Sequence, residues 1–189
     1  MNIGLVGNAA VGKTSLIKRF ALGEDFENHK NTITTIGVDR TTLQVRVKDE
    51  TIDVVIWDPA GQENLGTMTK TYFNQVDAIV LVFDMSDADT FEGVLRWFKQ
   101  IQEVKACPII ILGNKCDLTD QLLVTEDDIN EVKESLQIES FQTSAYTGMN
   151  VDDAFCTVIS KAYMHKLAAQ STGSQKLKEQ KKEDGKCAC

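Results

Sequence analysis

The chain has 189 residues, a length that suits one domain with a sizeable core. Its 42% hydrophobic and 25% charged residues are ordinary for a soluble globular protein, and no segment reaches the ~18 apolar residues of a membrane span. The net charge of −8 argues against a nucleic-acid binder that relies on phosphate attraction. Five cysteines, without a basic and then apolar N-terminal region typical of a secretory signal, indicate free thiols in a reducing compartment.

Apolar runs and helical patterns alternate along the chain. In chain order, the predicted elements are an apolar run at 3–6, alternating segments at 43–47 and 52–56, an apolar run at 79–83, helical spacing at 91–104, an apolar run at 109–112, helical spacing at 129–136, a strand near 140–143 and helical spacing at 151–162. Unbroken apolar runs are typical of buried parallel strands, and the alternating segments around Lys48-Asp49-Glu50 predict an edge hairpin. We therefore expect an α/β three-layer domain over residues 1–169. Residues 170–189 are polar and lysine-rich, which predicts a flexible tail.

The stretch from Gly7 to Thr14 fits the phosphate-binding pattern G-x-x-x-x-G-K-[ST] at every specified position. Its two glycines allow a tight loop whose backbone N–H groups surround phosphates, and a helix N-terminus follows. Lys13 adds positive charge near the outer phosphates, and the Thr14 hydroxyl is a candidate Mg²⁺ ligand. The residues that we assign to nucleotide contact here are Asn8, Ala9, Ala10, Val11, Gly12, Lys13, Thr14 and Ser15.

Further motifs follow predicted strands, at the sheet edge where ligands of such folds bind. Asp58 comes at the end of an apolar strand, where a carboxylate can hold Mg²⁺ from the far side. The amide of Gly61 is expected to reach the terminal phosphate, and Gln62 to orient an attacking water. A second threonine ligand for Mg²⁺ is expected between the first helix and the second strand; we assign it to Thr35, with Thr34 as the alternative.

Asn114-Lys115-Cys116-Asp117 follows another predicted strand and predicts selectivity for guanine. Asp117 can accept hydrogen bonds from the ring N–H and the exocyclic amine of guanine, and adenine has neither donor there. The stem of Lys115 can lie over the base, Ser144-Ala145 can offer a backbone N–H to the guanine oxygen, and Phe26 is a candidate for stacking on its edge. The residues that we assign to the base are Phe26, Asn114, Lys115, Asp117, Leu118, Ser144, Ala145 and Tyr146.

The order of these motifs resembles that of the Ras superfamily of small GTPases across about residues 2–168, and most of all the Rab family. Ile36-Gly37-Val38-Asp39, Trp57-Asp58 with Ala60-Gly61-Gln62-Glu63, and Cys187-Ala188-Cys189 carry the closer match. The resemblance implies a P-loop GTPase domain with a mainly parallel six-stranded sheet, one antiparallel edge hairpin and helices on both faces. It also implies binding of Mg²⁺, and two mobile segments at 25–39 and 60–73.

The activity implied by this resemblance is that of a GTP/GDP switch that hydrolyses GTP, with Lys13, Thr35 and Gln62 as its catalytic residues. The switch would regulate vesicle traffic on the cytoplasmic face of an intracellular membrane and cycle with the cytosol. An exchange factor, a GTPase-activating protein, effectors and a prenyl-binding escort are the expected partners. The protein is expected to be a monomer that does not bind nucleic acid.

The terminal Cys187 and Cys189 resemble the double-prenylation signal of Rab proteins. Two lipid chains give stable membrane anchoring, whereas one chain alone is marginal. Residues 171–189 contain five lysines and three acidic residues, a net charge of +2 that leaves −10 for residues 1–170. A weakly basic tail on an acidic domain suits an anionic membrane surface.

Among the residues that depart from the pattern of Rab proteins or of the wider superfamily are Arg40, Pro59 and Ala9. Arg40 stands where an aromatic residue is usual, so an unusual effector face is expected. Pro59 replaces a threonine and removes a backbone donor beside the catalytic loop. The methyl group of Ala9 lies near where Gln62 must fit, so we expect slow turnover without an activating protein. A GTP-binding recruitment module with little or no hydrolysis stays an alternative, and Asn-Lys-x-Asp argues against an ATP-dependent kinase.

Overall fold

The fold comes from a computed structural model that describes residues 1–26, 38–59 and 68–183, with side chains for 1–26, 38–59 and 70–171. In these ranges the strands are β1 (Asn2–Val6), β2 (Val38–Val47), β3 (Glu50–Pro59), β4 (Ala78–Asp84), β5 (Ile109–Asn114) and β6 (Glu139–Gln142). The helices there are α1 (Lys13–Leu22), α2 (Met68–Gln75), α3 (Ala88–Val104), α4 (Glu126–Leu136) and α5 (Val151–Glu183), with short 3-10 helices at Gly23–Asp25 and Thr119–Gln121. The predicted site residues that lie outside the described ranges are Thr34, Thr35, Gly61, Gln62, Cys187 and Cys189.

The described strands form one sheet in the order β2-β3-β1-β4-β5-β6. Strands β2 and β3 pair antiparallel, with Val38 opposite Pro59, and the other neighbouring strands pair parallel. Lys48 and Asp49 form the hairpin turn, and Lys48 takes the left-handed φ of 55° that suits a tight turn. The predicted six-stranded sheet with one antiparallel edge hairpin is confirmed, except that Glu50 already belongs to β3.

Helices cover both faces of the sheet, because its strands carry apolar side chains on both sides. On one face, α1 and α5 contribute buried residues such as Leu16 and Phe155. On the other face, α2, α3 and α4 contribute Phe73, Trp97 and Ile129. The chain therefore folds into the predicted three layers, with one hydrophobic core on each side of the sheet.

Strand β1 lies in the middle of the sheet, between β3 and β4. The strand order runs in opposite directions from β1, and such a switch point opens a crevice at the carboxyl ends of the strands. The segment that leaves β1 at this point is the phosphate-binding pattern 7–14. Asp58 of β3 and Asn114 of β5 are near the carboxyl ends of strands that run in the same direction as β1, so the fold places these motifs at one edge.

Two predicted segments have more regular backbone than the sequence suggests. Helix α5 runs to Glu183, so residues 170–183 are helical where the sequence predicts a tail without a core pattern; the flexibility of that tail stays a prediction. Helix α2 begins inside the predicted mobile segment 60–73 and runs past it to Gln75, and its Phe73 is buried in the core. In the part of the chain that the structure describes, no helix has the length and apolar run that a membrane span needs.

Candidate functional site

The loop between β1 and α1 has a backbone that requires its two glycines. Gly7 has a φ of 151°, and a Cβ there would lie 2.0 Å from the backbone oxygen of Val82. Gly12 has a φ of 97°, and its Cβ would lie 2.3 Å from Nδ2 of Asn114. Ala10 also has a left-handed φ, 61°. Left-handed residues inside a tight loop turn successive N–H groups towards one concave side, which is the geometry of an anion-binding loop.

Lys13 begins α1 and points back across this loop. Its Nζ donates hydrogen bonds to the backbone oxygens of Gly7, at 2.9 Å, and Asn8, at 2.7 Å. Burial lowers the pKa of Lys13 to about 8, although the nearby carboxylate of Asp58 acts in the opposite direction. A buried ammonium group with only carbonyl partners gains from a phosphate, because the phosphate favours the charged form.

Thr14 and Asp58 meet at the next position along the crevice. The Thr14 hydroxyl donates a hydrogen bond to Oδ2 of Asp58, and the Asp58 side chain is buried at the end of β3. A hydroxyl and a carboxylate are hard oxygen donors of the kind that Mg²⁺ binds, together with waters and phosphate oxygens. This pair fits the predicted Mg²⁺ site. The third predicted ligand, Thr35 or Thr34, lies outside the described residues.

Asn114 connects the phosphate-binding loop to the base-binding motifs. Its Nδ2 donates to the backbone oxygen of Val11 at 2.8 Å, and its Oδ1 accepts from the Ala145 N–H at 3.1 Å. The side chain is 2% exposed, so both hydrogen bonds are shielded from water. The sequence assigns a backbone N–H of Ser144-Ala145 to the guanine oxygen. The Ala145 N–H already has a partner in Asn114, so contact with the base would make it a shared hydrogen bond.

Side chains from outside the guanine motif also contact two of its other residues, Lys115 and Asp117. Oδ1 of Asp117 accepts a hydrogen bond from Oγ of Ser144 at 2.5 Å. Nζ of Lys115 lies 2.5 Å from Oδ2 of Asp84, which is the last residue of β4. Asp84 is a site residue that the sequence predictions missed. Its position directly after a buried apolar run, at the same edge as the other motifs, is the signal that could have identified it.

Arg19 and Trp97 are further residues that the predictions missed. The Arg19 guanidinium lies 4.6 Å from the centre of the Phe26 ring, so the predicted stacking residue is in contact with a cation. Nε1 of Trp97 on α3 donates to Oδ1 of Asn8 at 3.1 Å. Neither contact has a local sequence signal, because each joins residues of different elements.

The predicted residues within the described ranges form one connected group at this edge. Thr14 contacts Asp58, Val11 contacts Asn114, and Ser144 contacts Asp117. The predicted residues that the structure describes here are Asn8, Ala9, Ala10, Val11, Gly12, Lys13, Thr14, Ser15, Phe26, Asp58, Asn114, Lys115, Asp117, Leu118, Ser144, Ala145 and Tyr146. Their assignment to a bound nucleotide stays a prediction, and the geometry is compatible with it.

Arg40, which departs from the Rab pattern, is an exposed residue near the start of β2. Its guanidinium stands 3.9 Å from the centre of the Trp57 ring, opposite it in the hairpin register. The Trp57 ring in turn meets Tyr72 edge-on, with 6.0 Å between the ring centres. The exposed cation of Arg40 therefore covers an indole that is itself buried.

Comparison with known proteins gives the same assignment as the motifs. The sequence model of the Ras family matches residues 2–164. GTP-binding protein YPT1 of Saccharomyces cerevisiae is 36% identical over 184 residues, which cover 95% of this chain and 85% of the relative. Ras-related protein Rab-13 of Mesocricetus auratus is 40% identical over 80% of this chain and 74% of its own length. Ras-related protein RABD2c of Arabidopsis thaliana is 33% identical over 91% of this chain and 84% of its own length. The chain therefore belongs to the Ras family and is a Rab-like small GTPase.

Proposed function

We propose that this protein is a GTP/GDP switch that hydrolyses GTP to GDP and phosphate and regulates vesicular membrane traffic. The observation that carries the proposal is the buried Asn114, whose hydrogen bonds join the phosphate-binding loop at Val11 to the base-binding loop at Ala145. A site connected in this way fits a ligand with phosphates at one end and a purine at the other. The names of the Rab and YPT1 relatives support the same reading.

The phosphate end of the ligand would be held by the loop amides and Lys13. The two carbonyl groups that now accept from Lys13 Nζ can be exchanged for oxygens of the outer phosphates, which compensate the positive charge better. Thr14 and Asp58, with Thr35 as a further ligand, are the residues that would hold Mg²⁺. When bound, this ion would neutralise the negative charge that develops on the phosphates during transfer.

Gln62 is proposed to orient the attacking water, and Lys13 to stabilise the charge on the β–γ bridging oxygen and the γ-phosphate. Residues at these motif positions have the same roles in phosphoryl transfer across the superfamily. Neither the loop 7–14 nor the segment 58–62 contains an arginine, so we expect an activating protein to supply one. Loss of the γ-phosphate would remove the contacts of Thr35 and Gly61, and effectors would then dissociate.

The nucleotide that copurifies with the protein tests the proposal directly. It is released by denaturation and identified by chromatography. GDP supports a switch that hydrolyses its nucleotide. Bound GTP supports the alternative of a recruitment module with little hydrolysis, and an adenine nucleotide contradicts both.

Gln62→Leu separates binding from hydrolysis. We expect this variant to retain affinity for GTP and to lose most of its turnover, because leucine cannot hold the attacking water. Single-turnover hydrolysis and GTP binding are measured on the same preparation. Unchanged turnover in the variant would contradict the water-positioning role of Gln62.

A further inference from the structure

Arg19, on the last turn of α1, makes hydrogen bonds to three backbone oxygens, one at the end of its own helix and two in the loop after β6. Its Nε donates to the backbone oxygen of Ala145 at 2.9 Å, and its Nη1 donates to that of Gly23 at 3.1 Å. Its Nη2 donates to the backbone oxygen of Tyr146. The guanidinium group thus holds two consecutive carbonyls of the loop after β6 and also the end of its own helix.

The same guanidinium also contacts Phe26, whose ring centre lies 4.6 Å from its Cζ. A cation over an aromatic face is attracted by the ring, and the contact limits the positions that the ring can take. The stem of Arg19 also lies beside Gly148, where a Cβ would be in ordinary contact with Cδ of Arg19 at 3.6 Å. Arg19 therefore contacts two of the segments that the sequence assigns to the base, Phe26 and the loop after β6.

Both backbone polar groups of Ala145, its oxygen and its N–H, are hydrogen-bonded to side chains. Its oxygen accepts from Arg19, and its N–H donates to the buried Asn114, which in turn donates to Val11 of the phosphate-binding loop. The loop after β6 contains no helix or strand. Backbone hydrogen bonds close its turn, from the Ser144 N–H to the Met149 oxygen at 3.1 Å and from the Gly148 N–H to the Ser144 oxygen at 2.8 Å. The bonds from Arg19 attach this turn to α1, and the bond to Asn114 attaches it to β5. Replacement of Arg19 would remove the attachment to α1 and leave the turn and its bond to Asn114 in place.

We propose that Arg19 is a positioning residue for guanine: it fixes the loop Ser144–Tyr146 and the Phe26 ring in the places from which they contact the base. The inference rests on the proposed binding of guanine nucleotides. It requires the planar guanidinium, because a lysine ammonium is a point charge that cannot donate to two neighbouring carbonyls while lying flat on a ring. The residue acts through the groups that it contacts, which are the loop after β6, the end of α1 and Phe26.

The test compares Arg19→Gln and Arg19→Lys with Lys18→Gln. Lys18 is the preceding residue on the same helix and is exposed, so its replacement removes the same charge without a contact to the base-binding loop.

Dissociation constants are measured for fluorescent GDP, and for ADP by competition. We expect GDP affinity to fall by on the order of tenfold in Arg19→Gln, because charge-assisted hydrogen bonds are lost, with a similar fall in Arg19→Lys. ADP affinity, which depends on the phosphate-binding loop, is expected to stay unchanged.

The outcomes separate the inference from the function on which it rests. GDP affinities of the Arg19 variants equal to that of Lys18→Gln would overturn the inference. A parallel fall for GDP and ADP together with a lower melting temperature would also overturn it, because Arg19 would then serve only stability. A wild-type protein that binds GDP no better than ADP would contradict the proposed function itself, before any variant is compared.

Discussion

Asn8 shows at the level of single residues how the phosphate-binding loop depends on a helix outside it. Its backbone oxygen accepts from Lys13, and its side-chain oxygen accepts from Nε1 of Trp97 on α3. The loop approaches α3 so closely that a Cβ at Gly93 would lie 3.2 Å from the same Asn8 oxygen. Trp97 is buried, so this hydrogen bond is shielded from water. Helix α3 therefore supports the loop at the residue next to Ala9.

Trp97→Phe is expected to accelerate GDP release. The change keeps an aromatic ring in the core and removes the N–H that holds Asn8. One hydrogen bond contributes about 0.5–1.5 kcal/mol, which corresponds to a roughly two- to tenfold faster dissociation of fluorescent GDP if the bond is kept in the nucleotide-bound state. Phe98→Leu is the control, because it perturbs the packing of the same helix without removing this bond. Equal acceleration in both variants would attribute the effect to packing.

Ala9→Gly tests whether the methyl group of Ala9 slows hydrolysis. Ala9 is exposed at the tip of the loop, so its side chain is open to the space where a nucleotide and Gln62 are proposed to meet. We expect faster single-turnover hydrolysis in Ala9→Gly, both alone and with an activating protein, because glycine leaves more room for the catalytic side chain. The idea would be wrong if wild type and variant turned over GTP at equal rates under both conditions.

The residues with local sequence signals could be predicted, and those that act across elements could not. The spacing of Gly7, Gly12 and Lys13 identifies a loop, and Asn114 is identified by the strand before it. Arg19 contacts Ala145 across 126 positions, and Trp97 contacts Asn8 across 89. Such pairs depend on how α1 and α3 pack against the sheet, and a single sequence contains no periodicity or motif that specifies this.

At the scale of elements, α4, which follows the guanine motif in the chain, has a reciprocal N-terminal cap. Oγ1 of Thr125 accepts from the N–H of Asp128 at 3.2 Å, and Oδ2 of Asp128 accepts from the N–H of Thr125 at 2.9 Å. This reciprocal pair is a capping box, which satisfies two backbone donors that the first turn leaves without helical partners. The pattern T-x-x-D at residues 125–128 is a local sequence signal for this cap.

Thr125→Ala should destabilise the fold by about 1 kcal/mol, the usual cost of losing such a cap. Urea unfolding of the GDP-bound protein measures the change. Thr119→Ala provides the control, because Thr119 is also exposed but lies in a short 3-10 helix without a side-chain cap. GDP affinity is expected to stay the same in both variants. Equal midpoints for the two variants would show that the capping box contributes no stability.

The capping box also predicts a pH dependence in acid. Hydrogen bonds from the hydroxyl and the N–H of Thr125 hold the pKa of Asp128 below its ordinary value of 3.8. Because the folded-state pKa is depressed, the stabilisation is fully present above the unfolded value and is lost as pH falls through the folded value. The stability difference between wild type and Asp128→Asn should therefore be constant above the unfolded pKa and shrink in stronger acid. A difference that stays constant through the acid range would contradict this assignment.

For the molecule as a whole, the order of elements could be predicted because each apolar pattern matches the burial of the element that it forms in the sheet or in a covering helix layer. The runs at 79–83 and 109–112 became β4 and β5, and the alternating segments became the edge hairpin. The extension of α5 to Glu183 could not be predicted in the same way. Residues beyond 169 lack an apolar stripe, so there is no core-facing signal from which a helix could be recognised.

The charge division of the molecule leads to a prediction about its C-terminus. The +2 of residues 171–189 against −10 for the rest would favour approach of the tail to an anionic surface, but so small a positive charge binds membranes weakly. We therefore predict that stable attachment depends on lipid on Cys187 and Cys189. Intact mass of the protein from its native cells should show two prenyl groups, and Cys187→Ser with Cys189→Ser should move it from the membrane fraction to the soluble fraction. Cys156→Ser, which removes an exposed thiol within the domain, should leave the distribution unchanged. An unmodified C-terminus on membrane-bound protein would show that attachment has another origin.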